Sequence, residues 1–266
     1  LHPTDLAEEV AIGYGLYRSG KRIGSIVAFE HRLRHQRANH EVDLALVAMA
    51  DAVSAGETAS FDEKVLLAFR NPANPAEPLG PLWLQEMVRD VTSLGGVFMQ
   101  VVFISVVIVH LLLRGKRHAA LFVLIAVVGG VLLSNGLKDL VDRPRPDIVP
   151  LGYAAYSASF PSGHTMMAAV TYLTLASLLA RFEVKHGEKI FVLVVAAMMM
   201  ILVGASRVYL GVHWPTDVLG GWAAGATWAT ICWLLALKLQ RGGQIEPNEE
   251  DVEEAPAVIE AEMEEA

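Results

Sequence analysis

The stretch SFPSGHTMMAAVTYLTLASLLA, Ser159–Ala180, joins two different environments in one short segment. From Met166 onward nearly every residue is apolar, which suits a lipid bilayer. The segment opens, however, on a proline, a serine, a glycine and an ionisable histidine: Pro161, Ser162, Gly163 and His164. Ionisable side chains are costly inside a membrane and are found there mainly where they serve a function. The stretch therefore predicts a membrane helix with an ionisable residue at its N-terminal end, and by itself it leaves open whether these residues cap the helix or serve a function.

The composition of the whole chain is that of a membrane protein. Of its 266 residues 53% are hydrophobic, and the mean hydropathy is +0.41. A helix needs roughly 20 apolar residues to cross a hydrocarbon core of about 30 Å. Five runs come near that length: Val97–Leu113, Ala119–Leu137, Thr165–Ala180, Ile190–Ala205 and Val218–Leu237. We therefore predict an all-α fold, a polytopic membrane helix bundle with five clear spans.

The N-terminal residues 1–60 form a separate basic and amphipathic segment. The chain opens on Leu1 without a signal-peptide pattern, so we expect that the natural N-terminus lies further upstream. The segment Val42–Gly56 is apolar but short, and it carries Asp43 and Asp51. Carboxylates of this kind are unfavourable in a membrane. A degenerate sixth span and an interfacial amphipathic helix both remain open for it.

The C-terminal residues 241–266 differ in charge from the rest of the chain. Ten acidic residues lie between Glu246 and Glu265, with no lysine or arginine among them. The formal charge of −8 becomes +2 when these ten are left out. A segment with one sign of charge and few large apolar residues predicts a disordered, solvated tail. The membrane core is then 61–240, and nothing in the charge pattern indicates a nucleic-acid partner.

Basic residues set the predicted orientation. The short connection Arg114–His118 reads RGKRH and belongs in the cytoplasm by the positive-inside rule. Alternation then places the connections Val141–Pro161 and Ser206–Asp217 together on the outer face, and the acidic tail inside. The aromatic residues Tyr153 and Tyr156 are expected as anchors at this interface.

Three polar segments share that predicted outer face. The first, KDLVDRPRP, holds Lys138 and Arg145 at the end of a helix. The second is PSGH, in which Ser162 stands at an N-cap position and Gly163 allows a ligand to approach the backbone. Free N–H groups and the helix dipole at this point favour an anion beside His164.

The third segment, SRVYLGVHWPTD, contains Arg207, His213 and Asp217. Trp214 and Pro215 follow the histidine, so a helix is expected to begin there. An aspartate four residues after a histidine can reach its ring and fix its tautomer and orientation. The alternative is an aspartate that only complements a helix dipole.

Taken together, the three segments predict a phosphate site. Three cations and a helix N-terminus suit a phosphate dianion, because guanidinium and ammonium groups bind its oxygens and stabilise the developing charge. Two histidines can then act as nucleophile and acid. A metal held by His164, His213 and Asp217 is the competing interpretation. The neighbouring cations Lys138, Arg145 and Arg207 would repel such an ion, so we expect none.

These three segments resemble the motifs of the type 2 phosphatidic acid phosphatase superfamily, the integral membrane lipid phosphate phosphatases. The family pattern is a lysine, six residues and Arg-Pro; then Pro-Ser-Gly-His; then Ser-Arg, five residues, histidine, three residues and aspartate. All three occur here in order and with unbroken spacing. The resemblance covers about residues 60–240.

The resemblance implies a role for each motif residue. His213 is the expected nucleophile, which forms a phosphohistidine, and Asp217 orients it. His164 is the expected general acid, which then helps to activate water. The expected phosphate-binding set is Lys138, Arg145, Ser162, Gly163 and Arg207. The family needs no metal or other cofactor, and its membrane members usually have six spans.

We therefore expect a membrane lipid phosphate phosphatase in a bacterial inner membrane, with its site on the periplasmic face. The substrate classes considered are phosphatidic acid, phosphatidylglycerophosphate and polyprenyl diphosphates. Two alternatives remain open, a lipid phosphotransferase that uses the same site and a non-catalytic lipid-phosphate binding or transport protein. Headgroup selection is expected from the loops Pro72–Asp90 and Ile148–Ser159, and the sequence does not indicate an oligomeric state.

Overall fold

The computed structural model describes residues 47–148, 157–180 and 185–241. Residues 47–54 are helical, and the elements that follow are α1 (Ala59–Leu67), β1 (Arg70–Asn71), β2 (Asn74–Pro78), α2 (Leu82–Ser93), α3 (Val97–Leu113), α4 (Arg117–Val141), α5 (Gly163–Leu179), α6 (His186–Tyr209) and α7 (Pro215–Arg241). The described part is therefore mostly helical, as predicted. The basic N-terminal segment up to residue 46, Tyr153, Tyr156 and the acidic tail beyond Arg241 lie outside the described residues.

The apolar runs of the sequence coincide with helices, but fewer of them qualify as spans than were predicted. Three helices are long and apolar enough by themselves: α4, α6 and Pro215–Leu239 of α7. A fourth results if α2 and α3, which meet at a bend of 47°, form one broken span. The helices α3 and α5 have 17 residues each. The count of five or six spans is therefore not confirmed.

Helix α5 lies at the centre of the bundle and packs against α3, α4, α6 and α7. Met166, Ala168 and Val170 on it are fully buried. Their small and medium side chains allow close packing of α7, which approaches most tightly at a glycine. A Cβ on Gly225 would lie only 2.6 Å from the Met166 carbonyl oxygen. This contact fixes the height of α7 against α5, and with it the position of the residues at both helix ends.

A small antiparallel hairpin, β1–β2, lies in the connection between α1 and α2, with Asn71 opposite Asn74. Arg70 of the hairpin donates to the Tyr209 carbonyl at 2.7 Å, and the Tyr209 hydroxyl donates to the Leu79 carbonyl. The hairpin is thus attached to the end of α6. After it, α2 exposes the apolar side chains of Leu82 and Trp83.

The ends of four helices meet where the polar motifs lie. Helix α4 ends at Val141, since Asp142 takes a left-handed conformation with φ 42° and the Arg-Pro pairs follow. Helix α7 begins at Pro215, the helix start predicted after Trp214, at a position that suits proline because no intrahelical N–H is lost. The C-terminal ends of α4 and α6 and the N-terminal ends of α5 and α7 therefore form one face.

Candidate active site

The structure brings His213 and Asp217 together at this face. The His213 Nδ1 atom lies 3.4 Å from Asp217 Oδ2 and 3.3 Å from Ser159 Oγ. On the other side of the ring, Nε2 lies 3.2 Å from Arg145 Nη1. A guanidinium nitrogen can only donate, so Nε2 must be the acceptor and Nδ1 carries the proton. The lone pair of Nε2 thus faces a cation, which is the arrangement a nucleophilic imidazole needs beside an anionic substrate.

Besides its contact with the imidazole, the Asp217 carboxylate accepts hydrogen bonds from three donors. The Trp214 backbone N–H donates to Oδ2 at 2.8 Å, and the Ser159 hydroxyl donates to the same oxygen. Arg143 Nη1 donates to Oδ1 at 2.8 Å. The Asp217 backbone contributes too, because its carbonyl accepts from the Ser162 N–H at 2.9 Å. Asp217 is fully buried, so its orientation is fixed by these contacts.

Burial dominates the electrostatics of the His213 ring. It lowers the pKa of His213 from 6.5 to about 4, an effect that Asp217 opposes and that the cations Arg145 and Arg207 reinforce. The side chain is 1% exposed, so water does little to stabilise an imidazolium there. His213 is therefore neutral near pH 7, with the lone pair available.

The three predicted phosphate-binding cations have neutral partners. Lys138 Nζ donates to the Ala158 carbonyl at 3.2 Å. Arg145 donates to the Ser157 carbonyl at 3.0 Å and to the Ser157 hydroxyl at 2.9 Å, and burial lowers its pKa. Arg207 Nη1 donates to Thr92 Oγ1 at 3.0 Å, and its buried Nε has no hydrogen-bond partner within the described residues. A buried donor without a partner is costly, which favours an anion at this point.

The first turn of α5 lies beside these cations. Lys138 Nζ is 3.8 Å from the position that a Cβ on Gly163 would occupy. Ser162 takes the N-cap position, but its side chain makes no capping hydrogen bond. Its hydroxyl oxygen instead accepts from Thr165 Oγ1 at 2.8 Å. The first N–H groups of the helix are therefore left without a side-chain cap, which suits an anionic ligand.

His164 lies on that first turn, half-buried, with Nε2 3.8 Å from where a Cβ on Gly96 would be. It makes no hydrogen bond to His213 within the described part of the chain. The two rings are nevertheless within electrostatic range of one another, as are Lys138, Arg145 and Arg207. His164 thus follows directly on Gly163, the residue that Lys138 Nζ approaches.

Two residues that contact Asp217 were not assigned to the site from the sequence. Ser159 is the first residue of the stretch Ser159–Ala180, but a serine three residues before Ser162 gives no indication of a function in the sequence. Arg143 stands in the dipeptide Arg143-Pro144, which the chain repeats at once as Arg145-Pro146. The sequence does not distinguish the two arginines, although one binds carboxylates and the other faces the imidazole.

Histidine and carboxylate side chains such as those of His213 and Asp217 are also potential metal ligands. Among the described residues no group of three or more His, Cys, Asp or Glu side chains is arranged to hold a metal ion. His213 and Asp217 are instead hydrogen-bonded to each other and to neighbouring donors.

Known proteins share both the sequence and the fold of this region. The model of the PAP2 superfamily matches residues 118–241. Phosphatidylglycerophosphatase B of Bacillus subtilis (strain 168) is 35% identical over 188 residues, which cover 68% of this chain and 86% of that protein. The chain belongs to the PAP2 superfamily. It is therefore a phosphatase of that superfamily, and the predicted family resemblance is confirmed.

A further relative and a solved structure support the assignment. An undecaprenyl-diphosphatase of Sulfolobus acidocaldarius is 26% identical over 159 residues, or 56% of this chain and 68% of that protein. The crystal structure of a transmembrane PAP2 type phosphatidylglycerolphosphate phosphatase from Bacillus subtilis superposes with a TM-score of 0.66 at 32% identity, covering 76% of this chain and 96% of that chain. Together with the apolar helices, this transmembrane relative identifies an integral membrane PAP2 protein.

Proposed function

We propose that this PAP2 phosphatase hydrolyses the phosphomonoester or pyrophosphate of a membrane lipid through a phosphohistidine on His213. The observation that carries the proposal is the orientation of the His213 ring: Nδ1 faces Asp217 and Ser159, and Nε2 faces Arg145 at 3.2 Å. A phosphate bound by Arg145 is thereby brought to the nucleophilic nitrogen. Close placement of reacting groups is one of the largest contributions to catalysis.

In the first step the Nε2 lone pair attacks phosphorus, and the bond from phosphorus to the leaving oxygen breaks. His164 donates a proton to that oxygen, which leaves as an alcohol or as the shorter phosphate. The imidazole of His213 becomes positively charged in this step, and Asp217 stabilises the charge. The other phosphoryl oxygens are bound by Lys138, Arg145 and Arg207. Backbone N–H groups of the first turn of α5, beginning at Gly163, bind them as well.

In the second step the roles of the histidines reverse. His164, now neutral, accepts a proton from water as the water oxygen attacks phosphorus. The P–N bond breaks, its electron pair returns to Nε2, and inorganic phosphate leaves. Both histidines are then in their starting states. Every step uses side chains of the chain itself, so we propose that no metal is required.

An apolar cavity supports a lipid as the substrate. It has a volume of about 860 Å³ and lies between α3, α5 and α6, where it is lined by Leu94, Phe103, Tyr172, Val195 and other residues. Leu94 is next to Gly95, and a Cβ on Gly95 would lie 3.3 Å from His164 Cβ. The cavity thus extends along the helices from Leu94, near the His164 turn, to Arg114 and Lys116 at the other end, as an acyl or prenyl chain would. The relatives that are named for phosphatidylglycerophosphate and undecaprenyl diphosphate agree with this class.

The direction of the helices supports five crossings. Helices α4 and α6 run toward the active-site face, which Lys138 and Arg207 reach at their ends, and α5 and α7 run away from it. Helix α3 starts next to Gly96 at that same face. With five alternating crossings, the basic connection Arg114–His118 would lie on the opposite side, which the positive-inside rule makes cytoplasmic. The active site then faces the periplasm of a bacterial inner membrane.

The test is phosphate release by protein purified in detergent, with a chelator present. The substrates are phosphatidic acid, phosphatidylglycerophosphate and a polyprenyl diphosphate. His213→Ala should abolish release from the substrate that the wild type prefers. His186→Ala, an exposed histidine at the start of α6, is the matched control and should retain activity. Retention of activity by His213→Ala would show that another group attacks phosphorus.

A further inference from the structure

Asp62 is a fully buried carboxylate on α1, far in sequence from the motifs and outside the region that the PAP2 model matches. It accepts hydrogen bonds from Arg143 Nη2 at 2.6 Å, from the Thr216 N–H at 2.9 Å and from Thr216 Oγ1 at 2.7 Å. A buried charge is tolerated only when it is paired and hydrogen-bonded. Both oxygens of Asp62 meet this condition. Thr216, the residue before Asp217, donates to both of them, and Arg143 donates to Oδ2.

Arg143 links this carboxylate to the active site. Its Nη2 contacts Asp62, and its Nη1 donates to Asp217 Oδ1 at 2.8 Å and to Thr216 Oγ1 at 2.8 Å. The guanidinium lies over the Trp214 ring, 5.5 Å from its centroid. A planar group fixed at both ends and against an aromatic ring has one orientation. Asp62 therefore determines how Arg143 meets Asp217.

The arrangement also sets the charge around His213. Two carboxylates share one guanidinium, so the group of Asp62, Arg143 and Asp217 carries one net negative charge. If Asp62 were neutral, Arg143 would fully compensate Asp217, and the imidazolium formed during attack would lose part of its stabilisation. Oδ2 of Asp217, which faces His213, would then hold less negative charge for the ring.

We propose that Asp62 is a positioning residue that acts on His213 through Arg143 and Asp217. This inference rests on the proposed function of His213 as nucleophile. Asp62 touches neither substrate nor the reacting ring, so it should affect the rate of attack and leave phosphate binding unchanged. The hydrogen bonds of Asp62 are made with Arg143 and Thr216, and none of them involves the proposed phosphate-binding cations Lys138, Arg145 and Arg207.

The test is rapid quench with radiolabelled short-chain phosphatidic acid, applied to wild type, Asp62→Asn and Glu63→Gln. Glu63 is the matched control, because it is an exposed carboxylate one residue away on the same helix. The amplitude of phosphoenzyme formation reports the fraction of intact sites, and the rate constant reports the chemistry. Vanadate binding gives an independent count of sites and an affinity.

For Asp62→Asn we expect the rate constant to fall by about 10- to 100-fold, a loss typical of a misplaced catalytic group. The amplitude per vanadate site and the vanadate affinity of Asp62→Asn should stay within about twofold of wild type. For the control Glu63→Gln, the rate constant, the amplitude and the vanadate affinity should all stay within that range. A reduced amplitude with an unchanged rate constant would mean a purely structural role and overturn the inference. If no phosphoenzyme accumulates in the wild type, because its hydrolysis is faster than its formation, kcat per vanadate site decides the role of Asp62 by the same criteria, and His213→Ala tests the intermediate separately.

A second pair of variants tests the route through Arg143. Asp62→Asn/Arg143→Gln replaces both charges by neutral amides, and it is compared with Arg143→Gln alone. If Asp62 acts through Arg143, the double variant should be no slower than Arg143→Gln, within about twofold. A further fall of the size that Asp62→Asn causes in the wild type would show an independent action and refute the proposed route.

Discussion

Replacing Asp217 by asparagine should slow formation of the phosphohistidine without removing the phosphate site. The substitution keeps the size of the side chain and removes its charge. Asparagine can also turn its NH2 group toward His213 Nδ1, which would favour the tautomer with the proton on Nε2 and block the nucleophilic lone pair. Both effects act on the imidazole, and neither acts directly on the cations that bind phosphate.

The size of the loss follows from the distance between the charges. At the 3.4 Å that separates His213 Nδ1 from Asp217 Oδ2, two unit charges attract by about 5 kcal/mol at an effective dielectric constant of about 20. Arg143, 2.8 Å from the other oxygen, offsets part of this attraction. Since 1.36 kcal/mol corresponds to about tenfold in rate, a remaining effect of about 3 to 4 kcal/mol predicts a fall in kcat of about 10²- to 10³-fold.

The assay is steady-state phosphate release from short-chain phosphatidic acid, with vanadate affinity as the measure of an intact site. Asp139→Asn, an exposed aspartate on α4 next to Lys138, is the control for a change of one charge near the site. The reasoning is refuted if Asp217→Asn keeps more than a tenth of the wild-type kcat. It is equally refuted if the variant loses vanadate affinity in proportion to its activity, because the charge would then serve binding.

Three further predictions concern the cavity, the helix contact and pH. Val195→Trp should fill part of the apolar cavity and lower kcat/KM for a long-chain lipid phosphate by about tenfold or more, while a short-chain, water-soluble substrate is turned over as before. Gly225→Ala should lower the thermal midpoint, because its Cβ would lie 2.6 Å from the Met166 carbonyl oxygen, whereas Gly136→Ala, with nothing within 4 Å, should leave it unchanged or raise it. Burial depresses the pKa of His213 to about 4, so between pH 6.5 and 4 the imidazole binds a proton in the unfolded state but not in the folded state. The thermal midpoint should therefore fall as the pH is lowered through this window, and it should fall less steeply in His213→Gln. An equal slope in that variant would assign the acid sensitivity to other groups.

The helices of the membrane core were predictable because hydrophobic length is a strong signal. The run Val97–Leu113 coincides with α3 to the residue. Whether a 17-residue helix crosses the bilayer is a different question, since α3 and α5 are near the lower limit of length. The hairpin β1–β2 was not predicted, because its strands are only two and five residues long and contain Pro75 and Pro78. Proline-rich segments of this kind are typical of loops.

The residues of the proposed site rest on another signal in the sequence. Lys138, His164 and His213 carry chemistry that is unusual at the ends of apolar helices, so their types alone indicate a function. The residues that hold them do not stand out in this way. Asp62 is one of two neighbouring acidic residues on α1, and its burial and its contact with Arg143 depend on how α1 packs against α7. Contacts of this kind are a property of the fold and leave no pattern in the sequence.

The partners of the cations explain how the site can hold a buried carboxylate and still bind a phosphate. Arg143 is paired with Asp62 and Asp217, so its charge is already compensated. Within the described residues, Lys138, Arg145 and Arg207 form no ion pair with a carboxylate, and their partners are carbonyls, hydroxyls and the imidazole. Their charge is therefore uncompensated in a largely buried environment, where an anion of matching shape is strongly stabilised. Because Arg143 is paired with the two carboxylates, Lys138, Arg145 and Arg207 are available for the proposed phosphate. One face of the bundle can therefore orient a histidine and bind a dianion at the same time.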